Sequence, residues 1–222
     1  MKHLKLDLHV HTWYSKDGIH SPELVLRSAA SKGLHVVAIT DHNTVRGSKE
    51  ARKCKTGVLV IPGIEVDTKE GHIIGLGIED VIKPWLSAAE TVDLIRDAGG
   101  TVVIPHPFDY IRRGIGSMAK ILKADAIEVM NSKTNTPLSN TFAKRLAKKI
   151  NSPITAGSDA HLAEDVGNAY MIIQPRENPN VNMILKMLRT QKSNTVEIVG
   201  RITPLSSRVK KIALQAVKKS VH

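Results

Sequence analysis

The chain has 222 residues, 41% apolar and 24% charged, the composition of a globular protein rather than a fibrous or disordered one. Its one cysteine, Cys54, excludes a disulfide framework and a thiolate metal cluster, and no run of about 18 apolar residues is present to span a membrane. The net charge of +11 is lopsided: residues 1–100 carry 13 basic and 13 acidic side chains, whereas residues 101–222 carry 19 and 8.

Leu4–Val10 alternates apolar and polar residues and reads as a strand. With period two, Leu4, Leu6, Leu8 and Val10 are expected on one face, and Asp7, His9 and His11 on the other. His9 and His11 then project side by side with Cα atoms roughly 6.6 Å apart, a spacing that can hold one metal ion or bridge two. Asp17 follows in Ser15-Lys16-Asp17-Gly18, a turn that can fold its carboxylate back over that face. Ser21-Pro22-Glu23 starts a helix and Lys32-Gly33 stops it.

Val36–Thr40 is a second strand and runs into Asp41-His42. Val58–Pro62 is a third, with Glu65 just past it. Ile64–Thr68 and His72–Gly77, joined by Lys69-Glu70-Gly71, read as an added hairpin carrying His72. Ser87 to Ala98 has helix start and stop signals, ending at Gly99-Gly100. Thr101–Pro105 ends at His106. The loop after it, residues 110–116, follows a strand end and is expected to reach the same rim, where Arg112 or Arg113 would clamp an anion bidentately.

Ala126–Met130 and Pro153–Ala156 are further strands, separated by a helix from Pro137 to Ile150. The second runs into Gly157-Ser158-Asp159-Ala160-His161, where Asp159 and His161 repeat the i, i+2 spacing of the first pair. Ala169–Ile173 is the seventh strand and Asn182 to Thr190 a helix. Leu205 to Val221 is a basic amphipathic helix with Arg208, Lys210, Lys211, Lys218 and Lys219.

Alternating strands and helices argue for a parallel sheet covered by helices. Seven units suggest a closed barrel; an open doubly wound sheet is the alternative. No linker composition interrupts the chain, so residues 1–222 read as one domain, with 201–222 packed on it or extending from it. Residues 1–7 contain no apolar signal core, and a cytoplasmic protein is expected.

Four of the strands end in histidine, and C-terminal strand ends form the active-site face of parallel barrels. The donor inventory is imidazole and carboxylate without sulfur, which suits Zn²⁺, Mn²⁺ or Fe²⁺. Nine donors exceed the needs of one ion, so two or three divalent ions are expected. Such a centre can drive displacement at phosphorus or polarise an amide carbonyl.

Asp7-Leu8-His9-Val10-His11-Thr12, Thr40-Asp41-His42, Pro62-Gly63-Ile64-Glu65, His72 before Ile73-Ile74-Gly75, Pro105-His106-Pro107 and Gly157-Ser158-Asp159-Ala160-His161 resemble, in order, the motifs of the polymerase-and-histidinol-phosphatase (PHP) family. The resemblance runs from residue 4 to about 173. It implies a distorted (β/α)7 barrel with a multinuclear metal site and phosphoesterase activity through a metal-activated hydroxide. Carried over by motif, the ligands are His9, His11, Asp17, His42, Glu65, His72, His106, Asp159 and His161. Asp17 stands where some members have histidine. Catalysis is expected of His161, Asp159 and His106, with His161 or another site histidine protonating the leaving oxygen. Asp7 and Asp41 are expected to fix histidine tautomers from behind, and Glu128 recurs in related small members.

The substrate class is a phosphate ester: a nucleotide, an oligonucleotide end or a small phosphomonoester such as histidinol phosphate. The basic second half also fits a non-catalytic nucleic-acid-binding module on the same scaffold. Seven aromatic residues are few for a base-stacking platform. An amidohydrolase would need a bridging lysine at a barrel-strand end, and none stands there.

Overall fold

A computed structural model describes residues 3–175, 179–191 and 196–220. The last residues of the C-terminal helix read from the sequence, with the side chain of Lys219, lie outside the described set. Within it the strands are β1 (Leu4–Val10), β2 (Val36–Ile39), β3 (Leu59–Asp67), β4 (His72–Leu76), β5 (Thr101–Ile104), β6 (Ala126–Asn131), β7 (Ile154–Gly157), β8 (Ala169–Ile173) and β9 (Glu197–Gly200). The helices are α1 (Pro22–Ser31), α2 (Arg46–Ala51), α3 (Ala88–Asp97), α4 (Pro137–Lys149), α5 (Val181–Thr190) and α6 (Leu205–Ser220).

The helix boundaries follow their caps. Ser21 accepts the Leu24 amide at 3.3 Å, and Pro22 takes the first turn, where its missing donor costs nothing. Ser87 and Glu90 form a reciprocal capping box on α3.

The sheet order is β7-β6-β5-β4-β3-β2-β1-β8-β9. It curls until β1 meets β7: the His11 amide donates to the Ala160 carbonyl at 2.9 Å and the Asp159 amide to the His9 carbonyl at 2.7 Å. The result is the expected α/β barrel, nearly closed and mixed. The hairpin is part of the wall. β3 runs unbroken into its first arm, and β4 pairs antiparallel with both β3 and β5. β8 pairs antiparallel with β1, and β9 extends the sheet beyond it.

Leu4, Leu6, Leu8, Val36, Ala38, Ile61 and Met171 pack in the barrel lumen, and Ile184, Leu185 and Leu188 of α5 plug its lower end. Helices α1 and α2 cover one outer flank, and α3 and α4 another. Sequence alternation placed Val10 with the leucines, but Val10 packs outward against Val25 and Leu26 of α1. The pairing of β1 with β2 shifts register between Asp7 and Val10. This bulge lets His9 follow Leu8 into the lumen while Asp7 points away.

At the β1–β7 seam only a glycine fits. A Cβ on Gly157 would lie 2.3 Å from His9 Cβ and 2.8 Å from Glu128 Oε1. Gly157→Ala is expected to destabilise the fold by about 1–3 kcal/mol through overpacking, read as a lower midpoint in urea. An unchanged midpoint contradicts this seam.

Candidate metal centre

Six parallel strands deliver their C-terminal ends to one rim: β1 gives His9 and His11, β2 His42, β3 Glu65, β5 His106, β6 Glu128, and β7 Asp159 and His161. His72 comes from the start of the antiparallel β4. Two residues, His106 (φ 29°) and Asp159 (φ 52°), sit in left-handed backbone conformations. Such strain persists where the surrounding structure holds it, and at functional sites in particular.

Glu65 is fully buried at the centre. Its Oε2 lies 3.2 Å from His9 Nε2, 3.2 Å from His11 Nε2 and 3.4 Å from His42 Nε2. Its Oε1 lies 3.0 Å from His72 Nδ1 and 3.1 Å from His106 Nε2. Asp159 faces the same rings, with Oδ1 3.4 Å from His11 Nε2 and Oδ2 3.7 Å from His9 Nε2. Asp17 Oδ2 is 2.6 Å from His161 Nε2. All nine residues singled out in the sequence therefore converge.

The outer hydrogen bonds fix which ring nitrogens face inward. The one proton of the Ser15 hydroxyl goes to Asp41 Oδ1 at 2.9 Å. Ser15 Oγ therefore accepts from His11 Nδ1 at 3.0 Å, which leaves His11 Nε2 as a lone pair. Glu128 Oε1 accepts from His9 Nδ1 at 3.0 Å and does the same for His9. Asp67 Oδ1, 3.0 Å from His72 Nε2, turns the His72 Nδ1 lone pair toward Glu65.

His9 Nε2, His11 Nε2 and Glu65 Oε2 then meet within 3.2 Å with no hydrogen among them. Only a cation satisfies such a convergence, so the residues fit a metal ion. Among the described residues, four groups have ligand atoms within 4.8 Å of one another: His11–Asp17–His42–His161, His9–Glu65–His106, His9–His11–Asp159 and His42–Glu65–His72.

In the ion-free protein, protons take the cation's place. Burial resists charging of His9, but the carboxylates of Asp159, Glu65 and Glu128 outweigh it and hold its pKa well above the usual imidazole range. His72 is likewise opposed by burial, yet Glu65 and Asp67 push it up to about 9. Against burial, His42, His9 and His72 hold Glu65 well below the usual carboxylate range. Asp159 is held down by Arg112, His9 and Lys133, also against burial.

The remaining sequence candidates divide. Asp41 acts on His11 through Ser15, one relay further out than expected. Among the described residues Asp7 pairs with no imidazole, because the bulge turns it outward. It accepts the Ser158 amide at 2.9 Å and the Gly167 amide at 2.8 Å, and burial pushes its pKa up to about 6 against those bonds. Arg112 enters the site and pairs with Asp159 Oδ2. Arg113 turns away: its guanidinium stacks 4.9 Å from the Trp85 ring centroid and donates to the Thr68 carbonyl at 2.6 Å.

Three groups at the site were missed as site residues. Asp67 stands two residues beyond Glu65 on one strand, so the same period-two rule could have found it. Asn131 bonds both Glu128 and Asp159, at 2.9 and 3.0 Å. Lys133 lies 2.7 and 2.9 Å from the two ring nitrogens of His161. Burial, with Arg112 and Lys211 nearby, presses the Lys133 pKa well down, while Asp159 and Asp17 pull the other way. No spacing rule in the sequence pointed to Asn131 or Lys133, and the expectation that no lysine stands at a barrel-strand end is corrected: Lys133 lies two residues past the end of β6 and reaches Asp159 at 3.7 Å.

A sequence profile described as PHP domain matches residues 7–155, and one described as PHP-associated matches residues 137–193. The chain belongs to the PHP domain family. An uncharacterized protein of Methanocaldococcus jannaschii is 39% identical over 152 residues, 63% of this chain and 89% of that protein. A phosphoribosyl 1,2-cyclic phosphate 1,2-diphosphodiesterase of Eggerthella lenta is 44% identical over 82 residues, 33% of this chain and 31% of that enzyme. Among solved structures, a two-domain Bacteroides vulgatus protein containing a predicted PHP-like metal-dependent phosphoesterase superposes with a TM-score of 0.73 at 18% identity, over 90% of this chain and 65% of that one. That last likeness concerns the PHP fold.

Two outcomes are expected of this PHP centre. Ligation needs neutral rings, and His72 carries a proton below about pH 9 in the ion-free protein. Binding Mn²⁺ at pH 7 therefore releases protons, and affinity falls as pH falls. Calorimetry in buffers of different ionisation enthalpy reads this directly, and zero proton release contradicts it. Glu128→Ala should weaken Mn²⁺ binding by roughly 10- to 100-fold by freeing the His9 ring; an unchanged titration curve contradicts that role.

Proposed function

We propose that this chain is a metal-dependent phosphoesterase acting on a phosphate ester of a nucleotide, an oligonucleotide end or a small phosphomonoester. The observation that carries this reading is a buried carboxylate, Glu65, shared by two ligand groups, with an arginine on the same rim. In this reading His9, His11, Asp17, His42, Glu65, His72, His106, Asp159 and His161 hold two or three divalent ions, zinc, manganese or iron. Asp67 joins them as a tenth donor. Bound there, such ions acidify a water and neutralise charge at phosphorus.

The chain's own residues do the rest. Arg112 presents two N–H groups to the phosphoryl oxygens, a geometry suited to holding them in line. His161, buried beside Asp17, is the group that delivers a proton to the leaving oxygen. Glu128, Asp41 and Asp67 keep the ligand rings in their ion-facing tautomers. Burial of the rim residues excludes competing water.

The reading treats residues 1–222 as one cytoplasmic unit. In support, α6 hydrogen-bonds the rim loops: Lys218 Nζ donates to the Gly18 carbonyl at 2.9 Å, and Arg208 to the Thr134 carbonyl at 2.7 Å. Those bonds also turn basic side chains inward, which takes away much of the motive for a purely nucleic-acid-binding module.

With Mn²⁺ added, hydrolysis of p-nitrophenyl phosphate, its bis ester or short oligonucleotides is expected, and a chelator should abolish it. Arg112→Ala should lower kcat by about 100-fold or more while ions stay bound. No turnover of any of these esters by ion-loaded protein contradicts the proposal.

A further inference from the structure

The ring of donors is electrically divided. Glu65, Asp67 and Glu128 occupy one side, where among the described residues their ion-pair partners are all imidazoles. Asp17 and Asp159 occupy the other, and they face three basic side chains. Arg112 pairs with Asp159 Oδ2. Lys133 Nζ stands 3.7 Å from Asp159 Oδ1 and 4.0 Å from Asp17 Oδ2. Lys211 Nζ donates to Asp17 Oδ2 at 2.9 Å.

Both corners pose the same problem and solve it differently. His161 Nδ1 donates to the Asp159 carbonyl at 2.9 Å, so its Nε2 lone pair faces Asp17 Oδ2. Two acceptors in contact need a cation. At Glu65, among the described residues, no lysine or arginine within ion-pair distance supplies one. At Asp17 the chain supplies its own: Lys211 reaches the carboxylate from α6, and Lys133 Nζ lies against the His161 ring, 2.7 Å from Nδ1 and 2.9 Å from Nε2. A divalent ion added there would meet the Lys211 ammonium at contact distance, where like charges repel, and would have to displace Lys133 from the His161 ring. The helix that carries Lys211 is fixed: Gln215 Nε2 donates to the Asp17 carbonyl at 2.9 Å, and the Ser207 hydroxyl lies 2.7 Å from both Asp165 carboxylate oxygens.

Narrowing that donor set by two, we propose that the Asp17–His161 corner is an anion pole rather than a third cation site. The centre holds two divalent ions among His9, His11, His42, Glu65, His72, His106 and Asp159, both sharing Glu65, and Arg112, Lys133 and Lys211 grip a phosphoryl oxygen of the substrate. The identity of the anion rests on the phosphoesterase reading; the ion count does not. Lys211 makes the C-terminal helix part of the site, and charge sorting sets the substrate's orientation, with its anionic oxygens toward the lysines.

The test uses the full chain, loaded with Mn²⁺ and desalted. Elemental analysis should find two ions per chain in the wild type and in Lys211→Ala. Calorimetric titration with inorganic phosphate should show roughly tenfold weaker binding in Lys211→Ala and in Lys133→Met. Lys210→Ala, whose ammonium pairs with Glu164 away from the cluster, should bind phosphate as the wild type does. If the buried Lys133→Met change prevents folding, Lys211→Ala carries the test alone. Three ions in the wild type, or phosphate affinity unchanged in Lys211→Ala, overturns the proposal. Neither readout involves turnover, so its failure is separable from a failure to hydrolyse esters.

Discussion

The structure is organised around lone pairs that have no hydrogen to share. His9 Nε2, His11 Nε2 and Glu65 Oε2 meet inside the barrel mouth, and the hydrogen bonds behind them prevent any ring from turning its N–H inward. Buried acceptors left in this state are costly. A barrel tolerates them only if something positive occupies the convergence: protons in the ion-free chain, a metal ion where one is bound. The raised pKa values of His9 and His72 and the depressed one of Glu65 are the same fact seen from the protein's side.

Delivering the donors requires departures from regular structure. A bulge in β1 sends His9 into the lumen after Leu8. Glycine at 157 lets β7 approach that bulge closely enough to close the cylinder. His106 and Asp159 take left-handed conformations that cost on the order of 1–3 kcal/mol each. The apolar lumen below, plugged by α5, and the helices outside hold these strained positions in place.

The basic surplus of the second half acquires a different meaning once folded. Read along the chain, it suggested a surface for a polyanion. In space, Arg112, Lys133 and Lys211 line one corner of the metal centre, and Arg208 and Lys218 brace rim loops. Arg113, beside Arg112 in sequence, spends its charge on Trp85. Adjacent arginines on a tight loop point in different directions, so composition alone could not assign them.

Much was legible before folding. Strands and helices announce themselves by periodicity and caps, and four strand ends carrying histidine placed the donors on one face of a barrel, because parallel strands share an end. Glu65 and Asp67 lie two apart on a strand, so their common face was also available to the same rule. What the sequence could not contain was the bulge that separates Asp7 from His9, since a one-residue shift leaves no mark in composition yet reverses every later side chain. Nor could it show that β4 would enter the wall, or that Lys133 and Lys211, 78 positions apart, would meet at Asp17. Local spacing encodes which side chains share a face. Which faces then meet is decided only when the cylinder closes.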